Sequence, residues 1–149
     1  MIGIDEVGRG CWAGPLLVVA ARPALKLNSN SYRDSKALSR HMREKLYEAI
    51  KIGFELGEGW VEPKEIDELG LTKAMILGVE RALDDIDADC NEEIIIDGNI
   101  NYCPNKFINS FCMVKADEKI QVVSAASIFA KVSRDTYMIA QAKKYPGYD

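Results

Sequence analysis

Histidine is almost missing: His41 is the only one in 149 residues. A Ser-His-Asp or Cys-His nucleophile needs an imidazole held by a third group, and a lone histidine on a polar helix face builds neither. Cysteine is sparse too. Cys11, Cys90, Cys103 and Cys112 stand apart, with no CxxC spacing. That argues against structural zinc and for reduced thiols in a cytoplasmic protein. No run of about 18 apolar residues occurs, so no membrane span is expected. Residues 1–20 place Asp5 and Glu6 where a secretory signal would be basic and then apolar, so no signal peptide is expected. Positive charge is also short. There are 19 Lys/Arg against 23 Asp/Glu, a net charge of −4. Taken alone, that balance argues against a nucleic-acid partner.

Its distribution argues the other way. Residues 1–50 hold eight Lys/Arg against five Asp/Glu, and residues 101–149 hold seven against four. The middle third holds four against fourteen. The two outer thirds can fold together into a mildly basic face, although a solvated acidic helix explains the middle equally well. Hydrophobic content of 48% and charged content of 28% are ordinary for a soluble globular chain, and the length suits one domain with a real core.

Apolar runs at 2–7 and 16–22 predict strands joined by a Gly-rich turn. Residues 24–38 are polar and predict a loop. Ser39 can cap a helix over 40–51 with Met42, Leu46, Ala49 and Ile50 on its inner face. Ile52, Phe54 and Leu56 alternate into Trp60-Val61, a half-exposed strand with Gly57 and Gly59 as weak points. Pro63 suits the first turn of a short helix over EPKEIDEL. Thr72 can cap a helix over 73–86 with Met75, Ile76, Val79 and Leu83 facing inward. EEIIIDGN (92–99) and FCMVKAD (111–117) read as strands ending in acids, and 121–143 as a final helix. The order predicts a mixed α/β sheet in a single domain, 1–149.

Three apolar runs therefore end in acids: Asp5-Glu6, Asp97 and Asp117. Ligand sites of α/β sheets gather at strand ends. Four converging carboxylates would repel one another and either protonate or recruit cations. Oxygen-only ligands favour Mg²⁺ or Mn²⁺. Gly8-Arg9-Gly10 lets backbone N–H groups approach a ligand and supplies a phosphate-pairing cation, though a tight turn alone explains the tripeptide. Ser35 and Lys36 offer a hydroxyl and a cation to a phosphate, or simply form a surface loop. Ser124, Ser127, Lys131 and Arg134 fall on one stripe at helical spacing, with Ala125, Ile128, Phe129 and Val132 on the packing side. The stripe suits a phosphate backbone; a solvated helix face accounts for it as well.

Together DEVGRG, DSKALS, DGN, KAD and SAASIFAKVSRD, in that order, resemble ribonuclease HII, the prokaryotic type 2 ribonuclease H. EPKEIDELGL (62–71) also looks like a helical stretch of that family, and the resemblance runs from Gly3 to about Tyr148. It implies a ribonuclease H-like α/β fold and a metal site of Asp5, Glu6, Asp97 and Asp117. The implied activity is two-metal-ion cleavage of RNA in RNA–DNA hybrids, and at single ribonucleotides in duplex DNA, 5′ of the ribonucleotide. Gly8-Arg9-Gly10 looks like the family's reader of the 2′-hydroxyl, the group that marks RNA in such a duplex. The implied partner is the nucleic acid itself, met by a monomer.

Two departures accompany the resemblance. Ala116 stands where the family often has glycine. The family's K-G-Y-like segment and terminal helices would follow YPGYD, so the resemblance implies a shortened chain; Tyr145 and Tyr148 sit in a different context and do not replace the missing tyrosine. The competing reading is a folded, non-catalytic nucleic-acid-binding remnant. A metal-dependent phosphatase fits less well, because Asp5-Glu6-Val7 lacks the second acid of a D-x-D nucleophile.

Overall fold

The N-terminal apolar runs pair with each other, as their spacing predicts. In the computed structural model, which describes residues 1–10, 14–24 and 40–144, β1 (Ile2–Val7) and β2 (Leu16–Pro23) are antiparallel, with Gly3 opposite Ala21 and Val7 opposite Leu17. Helix α1 (Arg40–Gly53) leads into β3 (Phe54–Val61), which pairs antiparallel with β2. Next come α2 (Pro63–Leu69), α3 (Leu71–Asp85), β4 (Ile94–Asp97), β5 (Ser110–Met113), α4 (Ala116–Lys119) and α5 (Gln121–Lys144). Strand β4 lies parallel to β1, and β5 parallel to β4, giving the order β3-β2-β1-β4-β5. This is the expected mixed sheet flanked by helices.

Strand alternation divides the core in two. Ile2, Ile4, Leu16, Val18, Ala20, Ile94 and Ile96 face one side, where Met75, Val79 and Leu83 of α3 cover them. Leu17, Val19, Ala21 and Ile95 face the other side, against Val123, Ala126, Ile128 and Ala130 of α5 and Ile50 of α1. Among the described residues no helix is long and apolar enough to cross a membrane. The three described cysteines carry free thiols, and His41 is exposed.

Several local expectations are corrected. Helix α1 continues through Gly53, so Ile52 belongs to its last turn, 79% exposed, and not to β3. Met42 and Ala49 are exposed on α1, while Ile50 is buried and Leu46 half-buried. Helix α3 begins at Leu71 with Gly70 at its N-cap, so Thr72 lies inside the helix. Its inner stripe is Ala74, Met75, Gly78, Val79, Ala82 and Leu83, which leaves Ile76 outside. The shift has a steric cause. A Cβ at Gly59 would overlap the carbonyl oxygen of Gly78, and one at Gly57 that of Ala82. These glycines are where α3 seats on β3 backbone to backbone; they are not weak points. Residues 25–38 and the proposed cap Ser39 lie outside the described residues.

Gly59→Ala is expected to lever α3 off the sheet and cost about 1–3 kcal/mol. The readout is a lower urea midpoint at unchanged slope. A wild-type midpoint would contradict the direct seating of helix on strand.

Candidate active site

The alternation that builds the core also sorts the acids. Asp5 follows Gly3 onto the α5 face of β1, and Asp97 follows Ile95 onto the same face of β4. Because β1 and β4 are adjacent and parallel, both acids leave the sheet at the same end. Asp117 arrives by another route. The strand expected to run to it stops at Met113; Lys115 turns the chain with φ +58°, and Asp117 lies in the first turn of α4. One carboxylate oxygen from each of Asp5, Asp97 and Asp117 lies within 4.8 Å of the other two. Glu6, one residue past Asp5, stands outside that triad.

Two of the three acids are held from behind. The Glu6 N–H donates to Asp5 Oδ1 at 2.8 Å, and the Ser127 hydroxyl bonds to Asp5 from α5. The Ala116 N–H donates to Asp97 Oδ1 at 2.8 Å. The position where the family often has glycine thus contributes its backbone, and its methyl group is buried in the α5-side core. Asp117 is buried, and its Oδ1 has no hydrogen-bond partner among the described residues. An orphaned carboxylate oxygen costs free energy unless something binds it.

Electrostatics point the same way. Burial pushes Asp5 well above the usual carboxylate range; the charges of Glu6 and Asp97 push further, outweighing the Glu6 N–H and Ser127 bonds. Burial also raises Glu6, with Asp97 adding to it and Arg9 opposing. An all-oxygen triad with an orphaned atom and destabilised negative charge fits a hard divalent cation.

The glycine-framed turn borders this cluster. Gly8 has φ +93°, and a Cβ there would meet Arg134 Nε at 2.5 Å and the Pro15 carbonyl oxygen at 2.7 Å. Only glycine fits both the dihedral and the space. Arg9 lies 3.8 Å from Glu6 and donates to the Tyr102 hydroxyl at 3.0 Å; Gly10 is exposed. Tyr102 escaped the sequence reading. Its one signal was an aromatic in the polar stretch after DGN, which does not show that it reaches back to Arg9.

The stripe on α5 differs from the expected phosphate-facing surface. Ser124, Ser127 and Arg134 are all buried. Ser124 Oγ has no partner among the described residues, Ser127 serves Asp5, and Arg134 Nε donates to the Pro15 carbonyl at 2.9 Å. Lys131 alone is partly exposed. Helix α5 lies flat on β1 and β2, so a stripe read as outward becomes the wall behind the acids. Ser35, Lys36, Tyr145 and Tyr148 lie outside the described residues.

A β3-β2-β1-β4-β5 sheet with carboxylates converging at the ends of parallel strands defines an α/β protein with an all-oxygen cluster that suits a hard cation. Comparison narrows the class. The family described as Ribonuclease HII matches residues 2–149. The chain is 40% identical to the ribonuclease HII of Fusobacterium nucleatum over 99% of its own length and 70% of the relative's. It is 41% identical to that of Thermus thermophilus, over 98% of its length and 70% of the relative's. In structure it resembles the ribonuclease HII of Archaeoglobus fulgidus, solved as a complex with PCNA. That match has a TM-score of 0.81 at 28% identity, covering 97% of this chain and 77% of the other. The chain belongs to the ribonuclease HII family. Its activity class is accordingly that of a metal-dependent endoribonuclease of ribonuclease H type.

A carboxyl whose folded-state pKa is raised binds its proton more tightly when folded, so stability falls as pH climbs from the unfolded value towards the folded one. For Asp5 that decline begins near pH 3.8. In chelator, Asp5→Asn is therefore expected to melt higher than wild type at pH 7, and the gain should vanish as the pH approaches 3.8. Equal melting temperatures at pH 7 would contradict the repulsion described.

Proposed function

We propose that this chain cuts RNA in RNA–DNA hybrids and at single ribonucleotides embedded in duplex DNA, 5′ of the ribonucleotide, so clearing ribonucleotides from DNA during replication and repair. The observation that carries this reading is the convergence of Asp5, Asp97 and Asp117, with one buried oxygen that has no partner among the described residues. Asp5, Asp97 and Asp117, with Glu6 beside them, would hold two Mg²⁺ or Mn²⁺ ions. Such ions, when bound, supply an activated water and neutralise charge on the scissile phosphodiester. Metal-assisted hydrolysis needs no side-chain nucleophile.

The chain's own groups do the positioning. The Ser127 hydroxyl and Glu6 N–H fix Asp5, and the Ala116 N–H fixes Asp97. Gly8 and Gly10 allow a sugar to approach backbone N–H groups, where a 2′-hydroxyl can be read. Arg9, with a half-exposed side chain, meets the adjacent phosphate. Lys131 lies two helical turns from Ser124 along α5 and extends the phosphate contact. Ser35 and Lys36, a hydroxyl and a compact cation within DSKALS, are the further phosphate contacts of this reading. Every group named comes from one chain, so the proposed unit is a monomer acting on nucleic acid alone.

A gel assay tests the reading. Labelled duplex DNA with one ribonucleotide is incubated with the chain and Mg²⁺ or Mn²⁺, beside an all-DNA duplex and an Asp97→Asn variant. The expected result is a single cut 5′ of the ribonucleotide, absent from the all-DNA duplex and abolished in the variant. A folded chain that binds the duplex in a salt-sensitive way without cutting it would instead be a non-catalytic remnant.

A further inference from the structure

Tyr102 lies in the connection after β4, five residues beyond Asp97. Its ring belongs to the core on the α3 side of the sheet and is only 4% exposed. A phenol so deeply buried needs a partner for its hydroxyl. That partner is Arg9 on the glycine-framed turn: Nη2 donates to the hydroxyl at 3.0 Å, and the guanidinium carbon lies 5.6 Å from the ring centroid. The other arm of the guanidinium stands 3.8 Å from Glu6. The Arg9 side chain is nevertheless 42% exposed. It is anchored at its base and open at its rim.

We propose that Tyr102 is a positioning residue for substrate binding: its buried phenol holds the Arg9 guanidinium, so the glycine-framed turn meets a phosphate with its cation already oriented. This rests on the proposed function. An arginine on a flexible glycine-flanked turn loses rotamer freedom when it binds, and an existing hydrogen bond removes part of that loss. The benefit falls on binding, because the Tyr102 hydroxyl meets Arg9, which is not one of the triad acids.

Steady-state cleavage of the single-ribonucleotide duplex tests this in wild type, Tyr102→Phe, Arg9→Ala and the double variant. Phenylalanine keeps the ring and removes only the hydroxyl, so the fold should survive, as an unchanged melting temperature would confirm. Tyr102→Phe should raise KM about tenfold with kcat unchanged. In the Arg9→Ala background the same substitution should change nothing, because the two residues act as one unit. Wild-type KM in Tyr102→Phe, a loss confined to kcat, or an equal rise in the Arg9→Ala background would each overturn the proposal. If the wild-type chain fails to cut, the function itself falls, and this inference with it; cutting by wild type with any of those three results removes Tyr102 alone.

Discussion

The constraint on which this structure turns is the mutual repulsion of carboxylates fixed on one face of a sheet. Asp5 and Asp97 cannot relax apart. Each directly follows a paired residue, Ile4 or Ile96, in adjacent parallel strands, and the period of two commits both side chains to the α5 face. Helix α5 then excludes water from that face, and α4 brings in a third acid. Elements that stabilise the fold through apolar burial thus concentrate charge that costs the fold stability. A bound cation would relieve the conflict, and the scaffold holds the three acids in place before any ion or substrate arrives.

The rest of the site follows from what surrounds those acids. Helix α5 is at once the lid of one core and the source of the Ser127 bond to Asp5. One helical turn beyond Lys131, Arg134 fills the space beneath Gly8 and bonds to Pro15, tying the glycine-framed turn to the start of β2. The opposite side of the turn is tied by Arg9 to Tyr102, in the other core. A turn whose glycines give it freedom is thereby fixed at two points. That reconciles a flexible composition with a defined position beside the clustered acids.

Much of this was legible in sequence, and for physical reasons. Strands ending in acids announce themselves through β-rich apolar runs followed by charge, which is why Asp5 and Asp97 could be read directly. Asp117 is legible as an acid after a strand but not as a helical residue, because Val114 and Lys115 look extended while the chain turns at Lys115. The α5 stripe of Ser124, Ser127 and Arg134 was visible as a stripe, yet its direction was not. Periodicity gives spacing on a helix without saying which side meets the sheet, and two hydroxyls with a cation suit an outer face by composition alone. Gly57 and Gly59 were seen only as local weakness, since the close approach of α3 is a tertiary fact. The Tyr102–Arg9 bond spans 93 positions and no local pattern encodes it.

The most direct test of the central claim is a titration of Mn²⁺ into the metal-free chain, following the free ion by its paramagnetic resonance, in wild type and in Asp117→Asn. The account predicts that wild type removes Mn²⁺ from solution and that the variant, which loses the buried unpartnered oxygen as an anion, binds it far more weakly. Equal binding by both chains would show that the converged acids are not where the cation sits.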